Sequence, residues 1–339
     1  MTGAVYDRGY RPYDGPRGGT GASRLALARA TVRRALGLRR SWRQKIAPFT
    51  LLAIVTVPAI VNVGVKYLTR DTAAQDIEFI TYRDYVGVSN ALLVFVALTA
   101  PDIICPDRRQ RVLPLIFARP LTGRDYVLAK VGAMAGILFA FSFLPQVVLF
   151  VGQMLVSTDG ALTYLRDNAE ILWQVPVAVA LLALWYAVIG VAISSFATRR
   201  IVAGATIIGV FLVSSIVATV IEETNRTATV ESPGPFAPQE ASTTTLDLVL
   251  PGEEPRPGVP PGDDGRRFVF DEPDPTMAPL LNLLNLPLLL RDVVFLGEIH
   301  HGSALSGIEG GGAMAFAIYV AVVVVGLAVL LRRYRAVEP

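Results

Sequence analysis

The sequence predicts an all-α membrane protein with six transmembrane helices and both termini on the cytoplasmic side. Three observations predict it. The 339 residues are 53% hydrophobic and only 17% charged, with a mean hydropathy of +0.49, which is too apolar for a soluble domain of this size. Six apolar runs reach the roughly 20 residues needed to cross a hydrocarbon core. The basic residues also segregate: 22 of the 31 lie before Ile46, in 105–130, in 198–200 and after Leu331, together with only 5 of the 28 acidic residues. Cytoplasmic segments near spans are enriched in Lys and Arg, so these four segments are read as cytoplasmic.

The expected spans are Ile46–Leu68, Val86–Ile104, Val127–Val156, Ile171–Ala197, Ile201–Ile221 and Ala313–Leu331. Each run is continuous and lacks the alternation of a barrel strand, so each is read as a helix. Residues 1–23 contain YRPYDGPRGGTGAS, a polar, Gly/Pro-rich stretch expected to be a disordered cytoplasmic tail. It holds no phosphate-binding loop, because no G-x-x-x-x-G-K-[ST] follows a strand. Residues 24–45 place Leu25, Val32 and Leu36 near one helical face and Arg29, Arg33 and Arg40 mostly away from it. That pattern fits an amphipathic helix at the inner leaflet, in contact with membrane lipids, and equally an anchor for the first span.

Residues 46–221 hold the first five spans and the cytoplasmic loop 105–126. Residues 222–276 form an acidic, Pro-rich outer loop (ESPGPFAPQEASTTT, PGEEPRPGVPPGDDG) whose composition cannot bury a core. Residues 277–312 turn apolar again, but Asn282, Asn285, Pro287, Arg291 and Asp292 interrupt them. The expectation is a re-entrant, outer-leaflet helical pair before the last span, 313–331, and the short tail 332–339.

Several function classes fall away. The basic residues follow topology, so the pI of about 9.1 gives no reason to expect a nucleic-acid partner. Cys105 is the only cysteine, which excludes an intramolecular disulfide and a Cys-based metal site. Glu222, Glu223 and Arg226 lack the spacing and the later His of an intramembrane protease. His300 and His301 are neighbours that would not share a helical face and are read as solvated. No catalytic, cofactor-binding or metal-ligating residue is expected on this chain. Arg outnumbers Lys 28 to 3, in keeping with a high-GC bacterial genome and a multi-pass protein of the bacterial cytoplasmic membrane.

The loop 105–130, CPDRRQRVLPLIFARPLTGRDYVLAK, is the only substantial cytoplasmic connection between spans. Pro106, Pro114 and Pro120 favour helix starts or breaks, and LPLIFARP is an apolar patch framed by Arg111 and Arg119. A small apolar knob with a basic rim suits docking; the alternative is a segment that only fixes topology. Polar groups within spans are candidates to line a pathway: Asn90, Gln146, Gln153, Thr206 and Ser214, with Asp102, Ser194, Ser195 and Ser215 beside them. Gly132 and Gly136 form a G-x-x-x-G able to bring two helices close.

The stretch DRRQRVLPLIFARPLTGRDYVLAK resembles the loop between the second and third spans in permease subunits of ABC-2 type exporters, over a layout similar across about residues 24–335. The resemblance implies a coupling helix seated on a separate ATPase, with Arg111, Leu113, Pro114, Leu115, Phe117, Arg119, Pro120, Arg124 and Asp125 as its contact residues. It implies two copies of a cytoplasmic ABC ATPase carrying the ATP and Mg, and a second permease subunit, identical or homologous; the scarcity of charges deep in the spans points to an amphipathic, lipid-like or drug-like cargo. The acidic stretch 224–275 is longer than that family requires and leaves room for an extracytoplasmic partner. A non-transporting scaffold working through 222–312 is the alternative. An ion-coupled carrier is disfavoured by the lack of inverted repeats and of buried charges.

Overall fold

The computed structural model describes residues 19–38, 42–70, 80–86, 89–117, 121–158, 160–230, 276–300, 303, 305 and 308–335; within these, 42–45, 47, 89 and 225–230 are described by backbone only. The described residues are helical throughout, without a strand. In order they form α1 (Thr20–Ala35), α2 (Trp42–Thr69), α3 (Tyr82–Val86), α4 (Ser89–Arg109), α5 (Leu113–Phe117), α6 (Gly123–Val156), α7 (Ala161–Asp167), α8 (Ile171–Phe196), α9 (Arg200–Val230), a 3-10 turn (Ala278–Leu281), α10 (Leu286–Leu296) and α11 (Gly311–Arg335). Six segments, those of α2, α4, α6, α8, α9 and α11, are long and apolar enough to cross a membrane. By length and composition the chain is a multi-pass membrane protein.

The helices outrun the apolar runs at their charged ends. The second span, expected to stop at Ile104, continues as α4 through Pro101 and Pro106 to Arg109, so Pro106 does not break the helix there. The third begins at Gly123 rather than Val127, and the last runs to Arg335. Hydropathy alone stops too early because several of the charges there are paired inside the fold. The amphipathic stretch 24–45 is divided: α1 starts at Thr20, within the expected tail, and ends at Ala35, while α2 begins at Trp42. Gly37, at φ 63°, closes α1 in a left-handed turn in which Leu38 N–H donates to the Arg33 carbonyl and Gly37 N–H to that of Arg34.

The chain divides into two units, Met1–Gly209 with Val320–Pro339, and Val210–Tyr319. In the first, α6 packs on α8, α2 and α1, and α4 packs on α8. The apolar stretch containing α4 is 69% buried and that of α8 67%, against 17% for α2 and 22% each for α9 and α11. α4 and α8 are thus the central pair, and glycine lets helices approach them. A Cβ at Gly190 of α8 would lie 2.4 Å from Val96 Cγ1, and one at Gly204 of α9 would lie 2.7 Å from the Ala97 carbonyl oxygen. The second approach is to backbone, so no rotamer change relieves it. Gly132 and Gly136 do not mark such an approach, since a Cβ at either meets nothing within 4 Å.

In the second unit the polar residues that interrupt 277–297 organise a turn. Asn282 Oδ1 accepts from the N–H groups of Leu284 (3.0 Å) and Asn285 (3.4 Å), an Asx arrangement that starts the chain toward α10. Pro287 sits in the first turn of α10, Gly297 (φ 77°) ends it, and Arg291 pairs with Asp292 at 2.7 Å, both buried. At 1.5 Å per residue the eleven residues of α10 span about 16 Å, roughly half a hydrocarbon core.

Candidate functional site

The loop 105–126 contains the five-residue helix α5, with no buried residue, and Leu115 is 71% exposed. Its approach is fixed by a turn at the end of α4. Val112 N–H donates to the Asp107 carbonyl and Arg111 N–H to that of Arg108, both at 3.2 Å, the Schellman pattern. Arg111 occupies the left-handed position at φ 51°, where glycine is usual.

Beneath this turn lies a buried cluster of charges. Asp107, 1% exposed, receives the Arg34 guanidinium from α1, Lys130 Nζ from α6 at 2.7 Å, and the Tyr126 hydroxyl at 3.0 Å. Lys130 also donates to the Ile103 carbonyl at 2.9 Å and lies 5.3 Å from the Tyr126 ring centroid. Tyr126 in turn contacts Phe117 of α5 at 6.0 Å and Tyr334 of α11 at 4.9 Å between ring centroids. One carboxylate therefore ties α1, α4 and α6 together directly below α5. Such a group is tolerable away from water only because each of its oxygens has a cationic or hydroxyl partner.

The start of α6 is a capping box. Thr122 Oγ1 accepts from Asp125 N–H (3.3 Å) and Asp125 Oδ2 accepts from Thr122 N–H (3.1 Å), while Arg24 of α1 holds Asp125 Oδ1 at 2.8 Å. Neighbouring helix ends are tied in the same way. Arg108 donates to the Ser195 carbonyl near the end of α8, where a cation offsets the exposed carbonyls. Arg200 pairs with Asp102 at 3.0 Å, and Arg333 stacks over Phe196 at 4.4 Å.

The predicted contact residues separate accordingly. Arg111, Pro114, Leu115 and Arg124 are exposed, Leu113 and Phe117 half-buried, and Asp125 buried in its own cap; Arg119 and Pro120 lie outside the described residues. α1 turns Thr31 and Ala35 inward, carrying Arg34 to Asp107, while Leu25 is exposed and Val32 and Leu36 are half-buried. The half-buried Arg34 and the buried Lys130 are the partners of Asp107 that sequence reasoning did not single out. The pattern that could have found them is the single acid Asp107 amid the arginines of an otherwise cationic loop.

The predicted pathway residues do not converge. Gln153 accepts the Tyr82 hydroxyl at 2.7 Å and that of Tyr164 at 2.8 Å, and donates to Asn62 Oδ1 at 3.2 Å. Gln146 donates to the Tyr82 carbonyl at 3.3 Å. Thr206 is exposed and donates to its own helix at Val202, and Asn90 is exposed near the start of α4. Ser214 donates to the Phe211 carbonyl (2.8 Å) and accepts from Leu283 N–H (3.2 Å), with Asn282 reaching Ser215 at 3.4 Å, so both serines position the Asn282 turn. The acidic loop falls almost wholly outside the described residues, as does His301. No protein-family model and no curated protein matches this chain.

Proposed function

We propose that this chain is the permease subunit of an ATP-driven ABC-2 type exporter, with α5 as the element that docks on a separate ATPase. The observation that carries the reading is α5 itself: a short apolar helix with an exposed leucine, set on a buried ion cluster that joins three helices. A push on α5 is transmitted to α4 through the two-bond turn at Asp107, and to α1 and α6 through the Arg34 and Lys130 pairs. A rigid knob on packed helices transfers displacement, whereas a loose loop would absorb it.

On this reading both termini and α5 face the cytoplasm of a bacterial cell, α1 lies along the inner leaflet, and the 3-10 turn with α10 dips into the outer leaflet before the last span. Two ATPase copies carry ATP and Mg, a second permease completes the pathway, and the chain performs no hydrolysis itself. The cargo is an amphipathic, lipid-like or drug-like molecule.

Purification of the tagged full-length chain from its native membrane in mild detergent tests this. A P-loop ATPase should co-purify in stoichiometric amount and be lost with Leu115→Asp, while the amount of inserted chain is unchanged. A constant extracytoplasmic companion without any ATPase, or an ATPase indifferent to Leu115→Asp and Arg124→Glu, overturns the reading; the first outcome favours a scaffold acting through 222–312.

A further inference from the structure

A crevice of about 340 Å³ opens between α1 and α5, beside the buried ion cluster. Leu27 of α1 and Val112, Leu115, Ile116 and Leu121 of the loop 105–126 give it apolar walls, and its charged lining residues, among those described, are Arg34, Lys130 and Asp107. Two cations thus meet one carboxylate. Lys130 is enclosed and gives its protons to Asp107 and to the Ile103 carbonyl. Arg34 differs: its side chain is 34% exposed, and Asp107 is the one partner of its guanidinium among the described residues. A guanidinium carries five N–H donors in a planar fork, so most of them remain for a ligand.

The excess of one positive charge says what that ligand is. A single monoanion balances it, and the guanidinium fork matches the oxygens of a phosphate. A free anion would leave the apolar walls without a partner, whereas an anion joined to an apolar body uses both. α1 also carries four arginines and no acidic residue, the composition of a helix that meets anionic headgroups. The volume, on the order of eleven waters, suits a phosphate with its glycerol carbons rather than a whole acyl chain.

We propose that the crevice between α1 and α5 holds the phosphodiester headgroup of an anionic phospholipid, with Arg34 donating to its phosphate oxygens while it keeps Asp107. The headgroup completes the ion cluster and lies against Leu115, so a lipid forms part of the seat of α5. The inference rests on the permease reading only for the choice of the inner leaflet; binding is measured on this chain without an ATPase.

The test titrates the full chain, in mild detergent, with dioctanoyl-phosphatidylglycerol and with dioctanoyl-phosphatidylcholine, which has the same body and phosphate but no net charge, and counts adducts by native mass spectrometry. One phosphatidylglycerol should bind saturably and about tenfold more tightly than phosphatidylcholine, the size of one hydrogen bond to a charged group. Millimolar inorganic phosphate should not displace it. Because Arg34→Gln also takes a partner from Asp107, the decisive variant is Ala30→Glu, at an exposed wall position one turn before Arg34. It sets a carboxylate within i,i+4 reach of the guanidinium and should abolish the preference. Arg29→Gln, which lowers the charge of α1 by the same amount at an exposed position outside the crevice lining, should keep it. Equal binding of the two lipids, displacement by inorganic phosphate, which would mark a free-anion site, a preference that survives Ala30→Glu, or one lost equally with Arg29→Gln overturns the proposal.

Discussion

The two ends of α6 solve the same problem with different chemistry. At its start, Lys130 pairs with Asp107, which Arg34 also holds, and Asp125 pairs with Arg24. About 35 Å along the helix, 23 residues later, Gln153 gathers Tyr82, Tyr164 and Asn62 through neutral hydrogen bonds alone. A neutral network can lose one member and leave only dipoles unpaired; an ionic one leaves a buried charge. The charged end is therefore built to stay closed as a unit, whereas the neutral end can rearrange at lower cost. On the exporter reading proposed above, the charged end is the one that receives the push on α5.

Removing the central carboxylate should break the comparison most sharply. Asp107→Asn strands Lys130, whose side chain is only 2% exposed, and should cost about 3–5 kcal/mol, read as a large drop in the thermal unfolding temperature in nanodiscs. Restoring much of that loss with Asp107→Leu plus Lys130→Met would show that the penalty is stranded charge rather than lost packing. At the other end, Gln153→Leu removes one acceptor shared by two tyrosine hydroxyls and should cost about 1–3 kcal/mol in the same assay. A Gln153→Leu loss equal to that of Asp107→Asn would refute the claimed asymmetry.

The ionic end also explains how far the sequence could be read. The six apolar runs were legible because 20-residue hydrophobicity has few other causes, and the segment 277–297 was legible as interrupted because Asn282 and Pro287 stand in it. The helix ends were not. Arg108, Asp125, Lys130 and Arg335 look like loop residues to a hydropathy scale, and only the pairing seen in three dimensions lets several of them sit in or beside packed helices. The candidate site was half legible. Exposed Leu115 and Arg111 follow from an apolar patch with a basic rim, whereas Arg124 and Asp125 came from the resemblance alone, and Asp125 turns out to be a helix cap. It shares the motif with Arg124, and spacing alone does not tell which of two adjacent residues faces inward.

That distinction gives a smaller effect. Arg24 is 56% exposed and its pair with Asp125 resembles a surface ion pair, worth about 0–1 kcal/mol. Arg24→Ala should leave the unfolding temperature within about a degree or two, whereas Arg34→Ala, which takes the partner from Asp107 Oδ1 and leaves Oδ2 with Lys130 and Tyr126, should lower it clearly and make α1 more accessible to a thiol reagent at an introduced Ser23→Cys. Equal effects would mean that α1 is held by packing rather than by its ions.

The smallest effect has the opposite sign. α1 and α4 end in the same turn, with the same two hydrogen bonds, but α1 places Gly37 in the left-handed position and α4 places Arg111 there. A non-glycine residue in that conformation costs roughly 1–2 kcal/mol, and glycine gives back part of the gain by its greater freedom in the unfolded chain. Arg111→Gly should therefore stabilise the protein slightly, by less than about 1 kcal/mol, while removing an exposed cation at the base of α5. If it also weakens ATPase co-purification, the strained position is kept for the charge it displays, and the cost is a functional one. If stability rises and the ATPase still binds, Arg111 is outside the docking face, which then narrows to Leu115 and its apolar neighbours.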